Sequence, residues 1–377
     1  MAHTACASWA LSSATSTTSA LEQLRRWISG RGVDAAYITK PVSIAYFTGF
    51  HADPHERLMS LVVKTDGATL IVPALEQQKA ASVVDQAGVV AWRDGEDAYA
   101  LVAGALRGCQ NVAVEKEHLS LLAAETLTSR IGASVLVDVG PDVRRLRLIK
   151  SEPEIARLQR AAAITDAAGD EVFGRLRAGT TEIAVAEMLA GVIAELGGTL
   201  SFETLVQSGP NSAMPHARPS TRKLAPGDFV LLDFGAQLEG YKADSTRMGV
   251  VGEPADRHVE IHQLVLDAHD AAIEAVRPGV TTGDVDAAAR RVIDAAGHGD
   301  RFFHRVGHGL GLEGHEDPSL DPGSAAVLEP GMVFTIEPGV YIPGWGGVRI
   351  EDDLVVEAGG CRVLTKSDRS LRVIPAS

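Results

Sequence analysis

The chain has 377 residues, 45% of them hydrophobic and 22% charged, and a formal net charge of −14. That length supports two or three domains with ample core, and that charge speaks against a nucleic-acid or anionic-membrane partner. Its three cysteines (Cys6, Cys109, Cys361) are far apart and give neither a disulfide framework nor a CxxC zinc pattern, and no apolar run approaches the roughly 20 residues of a membrane span.

Residues 1–19 are small and rich in Ser, Thr and Ala, without a basic start or a sustained apolar segment. They read as a flexible N-terminus rather than a signal peptide, and a cytoplasmic protein is expected. Residues 20–30 form an amphipathic helix with Leu21, Leu24, Trp27 and Ile28 on one face. A short strand at 35–38 and an apolar stretch at 44–50 follow. A hairpin of 58–63 with 69–72 turns on Asp66-Gly67. Beyond it come an Ala-rich helix before Val89-Val90, a helix at 98–106, a strand at 111–114, a helix at 119–130 and a strand at 134–137. Strands alternating with helices predict an α/β domain over 20–147. The basic run 143–150 (Arg144, Arg145, Arg147, Lys150) reads as a solvated linker, with an anion site as the functional alternative. Ser151, Pro153 and Glu154 then open a helix as a capping box with Pro in its first turn.

The rest, 148–377, holds an internal repeat. Arg177, Gly179, Thr181, Val185, Val192, Ile193 and Gly197 recur as Arg277, Gly279, Thr281, Val285, Val292, Ile293 and Gly297. A second echo aligns LAPGDFVLLDFG, from Leu224, with LEPGMVFTIEPG, from Leu328: Leu-x-Pro-Gly, an apolar strand, a carboxylate, x-Gly. The spacing is too long for a solenoid and implies a duplicated α/β half with pseudo-two-fold symmetry. Asp233 and Glu337 then sit at equivalent strand ends. Asp244 begins the return strand of the first copy, and Glu351 ends another strand, GVRI. His308 lies between glycines in RVGHGLGLEGHE. A carboxylate ending an apolar strand is costly to desolvate unless paired or bound to a cation. Asp233, Asp244, His308, Glu337 and Glu351 make an oxygen-rich set with one imidazole, which suits two divalent ions of the Mn²⁺, Co²⁺ or Zn²⁺ kind. Such a pair activates water and polarises a carbonyl.

The motifs LLDFGAQLEGYKADSTR, VGHGLGLEGHEDP, TIEPGVY and GGVRIEDD resemble those of the pita-bread metallopeptidases, the group of methionine aminopeptidase, aminopeptidase P, prolidase and creatinase. The resemblance implies an α/β (α+β) chain: a creatinase-like N-terminal domain, then a pseudo-two-fold pita-bread domain. It puts the five metal ligands on Asp233, Asp244, His308, Glu337 and Glu351, with Asp244 and Glu351 bridging, and makes Glu337 the proton shuttle. It also matches His216 and His315 to the substrate histidines of the proline-specific branch, which donate to the scissile carbonyl oxygen. Arg349 is expected to orient a ligand carboxylate, and Tyr241 to stand behind the ligands or in the pocket. Asp352 and Asp353 are expected to be solvated or capping, and His298 and His304 to be structural.

The implied substrate is a proline-containing di- or oligopeptide, because the bond before proline is a tertiary amide that general peptidases handle poorly. Xaa-Pro dipeptidase is the first reading. Aminopeptidase P, acting on longer peptides, is the second, and a non-catalytic peptide-binding module the third. Archaeal-type prolidases carry an Arg shortly after the second histidine, whereas Pro318, Ser319 and Leu320 stand there in this chain. Arg218, or His51, His55 and Arg57, are candidate substitutes for that cation. A homodimer is implied by the resemblance alone.

Overall fold

The computed structural model describes residues 19–132 and 135–377. The chain divides into a first unit that ends at Val143 and a second from Arg144 to Ser377. The first unit runs α1 (Ala20–Arg31), β1 (Ala35–Ile38), α2 (Pro41–Thr48), β2 (Ser60–Val63), β3 (Ala68–Pro73), α3 (Gln77–Val83), β4 (Gly88–Trp92), α4 (Ala98–Ala105), β5 (Asn111–Val114), α5 (Leu121–Ile131) and β6 (Val135–Asp138). Its described strands form one sheet in the order β4-β3-β2-β1-β5-β6. Only the β1-β2 and β2-β3 pairs in it are antiparallel. Ser19 caps α1, whose Leu21, Leu24, Trp27 and Ile28 are buried. The apolar stretch 44–50 is mostly helix: Pro41 opens α2 and Gly49, at φ 72°, closes it. Residues 1–18, Cys6 among them, and Ser134 of the expected strand lie outside the described residues.

Helix α6 (Gly140–Leu148) spans the division at residue 143. It corrects the expectation of a solvated linker over 143–150, for a physical reason. Arg145 reaches Glu329 at 2.7 Å, while Arg147 and Lys150, 6% and 4% exposed, both face Glu316. Buried cations need acidic partners, and these partners lie far along the chain.

The second unit continues with α7 (Glu152–Arg175), α8 (Glu182–Glu195), β7 (Thr199–Leu200), β8 (Leu205–Ser208), β9 (Phe229–Phe234), β10 (Ala236–Leu238), β11 (Tyr241–Lys242), β12 (Ser245–Val251), α9 (Asp256–Ala275) and α10 (Thr282–Ala295). There follow β13 (His308–Gly309), β14 (Glu316–Ser319), β15 (Val333–Ile336), β16 (Gly339–Ile342), β17 (Gly346–Arg349), β18 (Asp352–Glu357), β19 (Gly360–Val363) and β20 (Arg372–Ile374). The capping box of Ser151 and Glu154 opens α7. The internal repeat is visible in the hydrogen bonds. Thr181 and Thr281 cap α8 and α10 through their hydroxyls. Gly179 N donates to Leu224 O at 2.8 Å, and Gly279 N to Leu328 O at 2.9 Å. Two sheets, β20-β12-β9-β8 and β14-β13-β15-β18-β19, are covered by helices. Val172 of α7 and Leu189 of α8 pack on Leu232, and Val265 of α9 and Val285 of α10 share a core with Phe334 and Leu354. An isolated bridge, Thr246 to Glu351, ties the two halves together at their acidic strand ends. No described helix is long and apolar enough to cross a membrane.

Candidate metal centre

The two halves bring the five sequence-predicted donors to one cavity of about 1130 Å³, lined by Asp233, Asp244, His308, Glu337 and Glu351. Asp233 sits in β9 opposite Thr246 of β12. Asp244, just before β12, has its N–H tied to Asp353 Oδ2 at 3.0 Å. Glu337 follows β15, its N–H donating to Val306 O at 2.8 Å. Glu351 accepts from Thr246 Oγ1 at 2.7 Å. His308 reaches the acids because its neighbours have no side chains. A Cβ on Gly307 would stand 1.9 Å from Thr335 O, and one on Gly309 2.1 Å from Asp317 O. The ring has Nδ1 3.1 Å from Gly309 O, and Nε2 3.3 Å from Glu337 Oε1 and 3.9 Å from Asp244 Oδ2. A proton on Nδ1, donated to that carbonyl, leaves the Nε2 lone pair aimed at the acids.

The electrostatics are those of a cation site. Burial, then the charges of the other acids, push the Asp244 and Glu351 carboxyls well above the usual range. Burial raises Glu337 to about 7, and burial lowers His308 to about 3, so its imidazole is neutral. Asp233 Oδ1 and Asp244 Oδ1 are buried without a hydrogen-bond partner. Ligand atoms of Asp244, His308 and Glu351 lie within 4.8 Å of one another. Acids that repel each other, orphaned carboxylate oxygens and a neutral imidazole fit divalent cations.

Arg349 stands among these acids and pairs with one of them. Its Nη2 pairs with Asp233, Nε donates to Thr246 Oγ1 at 3.1 Å, and Nη1 donates to Tyr341 OH at 3.0 Å. Tyr341 OH is also 2.9 Å from His304 Nε2, whose Nδ1 is 2.8 Å from Arg305 O. Burial lowers His304 to about 4, which keeps it neutral, so Tyr341 donates to Nε2.

His216 and His315 line the same cavity. The His315 ring stands edge-on to His308, centroids 3.9 Å apart. Tyr241 is a correction: its hydroxyl donates to Glu154 at 2.9 Å and its ring packs with Leu158 and Leu310, away from the cavity lining. Asp352 and Asp353 are a second correction, being 0% and 1% exposed rather than solvated. Asp352 pairs with Arg247 and Arg369, and Asp353 fixes the Asp244 backbone. Of the candidate cations, Arg218 pairs with Glu203 at 3.0 Å and Arg57 with Asp94 at 2.9 Å. The sequence reading missed Tyr341, Arg305 and the place of His304. Nothing local marked Tyr341 or Arg305.

The comparisons with known proteins agree with this geometry. The model of metallopeptidase family M24 matches residues 156–358, and that of the creatinase/prolidase N-terminal domain matches residues 21–149. The chain is 40% identical over 363 residues to an Xaa-Pro dipeptidase of Lactobacillus helveticus, covering 94% of this chain and 99% of the relative. Among solved structures it resembles an Xaa-Pro dipeptidase from Bacillus anthracis (TM-score 0.88, 36% identity, 94% and 99% of the two chains). It resembles an X-Pro aminopeptidase from Thermotoga maritima equally in fold (TM-score 0.88, 32% identity, 94% and 99%). The duplicated acidic strand ends thus close a pita-bread domain behind a creatinase-type N-terminal domain, and the chain belongs to metallopeptidase family M24.

Proposed function

We propose that the chain is an Xaa-Pro dipeptidase that works with two divalent ions, manganese first and cobalt or zinc as alternatives. Asp233, Asp244, His308, Glu337 and Glu351 would hold them. When bound, the ions supply Lewis acidity and an activated water. Glu337 takes the proton of the attacking water on its carboxylate and passes it to the proline nitrogen as the bond breaks. A carboxyl whose proton affinity is raised by burial suits that exchange near neutral pH. His315 and His216 each turn an N–H toward the scissile carbonyl oxygen as its charge grows. Arg349 holds Asp233 in place through its pair and is itself held by Thr246 and Tyr341.

The observation that carries the dipeptide reading is Arg305. It lines the cavity, and its Nη1 donates to Ser319 Oγ at 2.7 Å. The segment 318–320 is where the sequence lacks an arginine, and Arg305 reaches Ser319 within it. A guanidinium has five N–H donors in a planar fork, so one bond to Ser319 leaves capacity for the free carboxylate of an Xaa-Pro dipeptide. Phe202, Met214 and Phe303 supply apolar wall for the proline ring. A homodimer, on resemblance, and a cytoplasmic location, on composition, complete this reading.

The test is Mn²⁺-dependent hydrolysis of Ala-Pro beside a longer peptide beginning Ala-Pro, with Asp244→Ala as control. Faster turnover of the dipeptide, lost for that substrate alone in Arg305→Ala, is expected. Preference for the longer peptide gives the aminopeptidase reading instead. No turnover of either by metal-loaded protein leaves the binding-module reading.

A further inference from the structure

The basic run at the end of α6 is absorbed neither by the fold's apolar core nor by the proposed chemistry. Its two inward cations meet two acids of the loop that carries His315. Lys150 Nζ is 2.8 Å from Glu316 Oε1, Arg147 Nη2 pairs with Glu316 Oε2, and the same Nη2 is 2.9 Å from Glu313 Oε2. The side chains of Arg147, Lys150 and Glu316 are 6%, 2% and 8% exposed. Two cations against two acids leave the cluster without net charge, with Glu313 the half-buried member at its edge.

The cluster also shapes the loop from inside. Glu313 N donates to Glu316 Oε2 at 3.3 Å, and Gly311 N to Glu313 O at 3.1 Å. A Cβ on Gly311 would stand 2.5 Å from Glu316 Oε1, so the turn is packed directly on that carboxylate. Glu316 itself pairs in register with Gly309, one residue after His308. His315 is the residue beside it, with its ring on the cavity wall, and Glu313 lines the same wall. Lys150 is fixed in turn by its backbone N–H, which donates to Gly331 O at 2.8 Å.

We propose that Arg147, Lys150 and Glu316 form a buried ionic clamp that sets the position of His315 against the reacting carbonyl, which makes Glu316 and Arg147 positioning residues for hydrolysis. The clamp rests on the reading of the chain as an Xaa-Pro hydrolase. It differs from a generic stability element in one respect: its effect on turnover runs through His315. Glu316→Gln keeps the shape and removes the charge that both cations grip. Arg147→Lys keeps the charge and loses the guanidinium whose Nη2 meets both Glu313 and Glu316.

The experiment is a double-mutant cycle on metal-loaded, full-length protein. Glu316→Gln and Arg147→Lys are each measured in the parent and in a His315→Ala background, on Ala-Pro and on a longer peptide beginning Ala-Pro. Metal content and thermal midpoint are read in parallel. In the parent background kcat falls about 10- to 100-fold, the range for removing a residue that orients a reacting group, while metal content stays that of the parent. In the His315→Ala background the same substitutions cost less than about threefold, because their effect has no route left. Equal losses in the two backgrounds, or no loss in the parent background, overturn the clamp. Should Glu316→Gln fail to fold, Arg147→Lys decides by the same criteria. A parent protein inactive on both substrates overturns the hydrolase reading and the clamp with it, an outcome distinct from an active parent with equal losses.

Discussion

Glu351 and Asp352 are adjacent, both are buried, and they obey opposite electrostatics. Glu351 turns toward Asp244, Asp233 and Glu337, and burial and those charges drive its carboxyl well above the usual range. Asp352 turns the other way, into a knot of cations. Arg247 Nη2 is 2.6 Å away, Arg369 Nε 2.7 Å, and His269 Nε2 3.2 Å, with Thr365 donating its hydroxyl at 2.7 Å. Burial pushes Asp352 up as well, but the Arg247 charge and the His269 and Arg369 contacts outweigh it and leave the carboxyl well below the usual range. Successive residues of a strand face opposite sides. The protein neutralises one side with its own arginines, whereas on the other side Arg349 pairs with Asp233 and the acids outnumber it. That asymmetry separates a structural ion knot from a site built for a cation supplied from outside.

The largest expected effects test this contrast directly. Glu351→Gln lowers Xaa-Pro turnover by about 1000-fold, the several kcal/mol of transition-state stabilisation a metal centre contributes. In metal-free protein the same change leaves stability equal or higher, because it removes a repelled charge. Asp352→Asn instead costs about 3–5 kcal/mol, since it strands the buried Arg247 without its anion. Denaturant unfolding of chelator-treated variants measures both, and two equal destabilisations would break the comparison.

A second effect is the pH dependence of the metal-free protein. A carboxyl whose folded pKa is raised binds its proton more tightly when folded, so its stabilisation is complete below the unfolded pKa and is lost as pH rises through the folded one. For Glu337 the window runs from about 4.5 to about 7. The cost across it is on the order of 3 kcal/mol. Metal-loaded protein shows the opposite slope, because its ligands must be deprotonated to bind. Thermal midpoints at pH 5 and pH 8, with and without Mn²⁺, are expected to cross in this way. Parallel slopes would mean that the acids are neutralised by the chain itself.

The same contrast explains what the sequence could and could not reveal. Asp233 and Glu337 were legible because a duplicated motif put them at equivalent strand ends, and a buried acid at a strand end requires explanation. Asp352 and Asp353 carry no such mark. Their partners Arg247, Arg369 and Thr365 come from distant strands and turns, and only register decides which acid of Glu351-Asp352-Asp353 faces them. The basic run 143–150 misled for the same reason, its acids lying at Glu313, Glu316 and Glu329. Helix and strand placement was legible through most of the first unit because apolar period and turn residues are local signals, the exception being 44–50, whose continuous apolar run carries no period and folds mostly as α2. Charge pairing is not local, and every correction in this chain except Tyr241 is one of charge pairing.

The smallest expected effect separates the two tyrosines, Tyr241 expected at the site and Tyr341 found there. Tyr341→Phe removes the hydroxyl between Arg349 Nη1 and His304 Nε2, leaving two buried groups unpaired at a cost of about 1–3 kcal/mol. Because Arg349 also grips Asp233, the loosened guanidinium lowers kcat/KM by about tenfold, the low end for removing a partner of a ligand's partner. Tyr241→Phe removes a hydroxyl bonded to Glu154 near the start of α7, outside the cavity. It costs about 1 kcal/mol in unfolding free energy and leaves kcat/KM within about twofold. Measuring both quantities for both variants gives a cross-over in which activity follows Tyr341 alone. If Tyr241→Phe lowers activity as much as Tyr341→Phe, the hydrogen-bond chain from His304 through Tyr341 and Arg349 to Asp233 is not what holds the first acid in place.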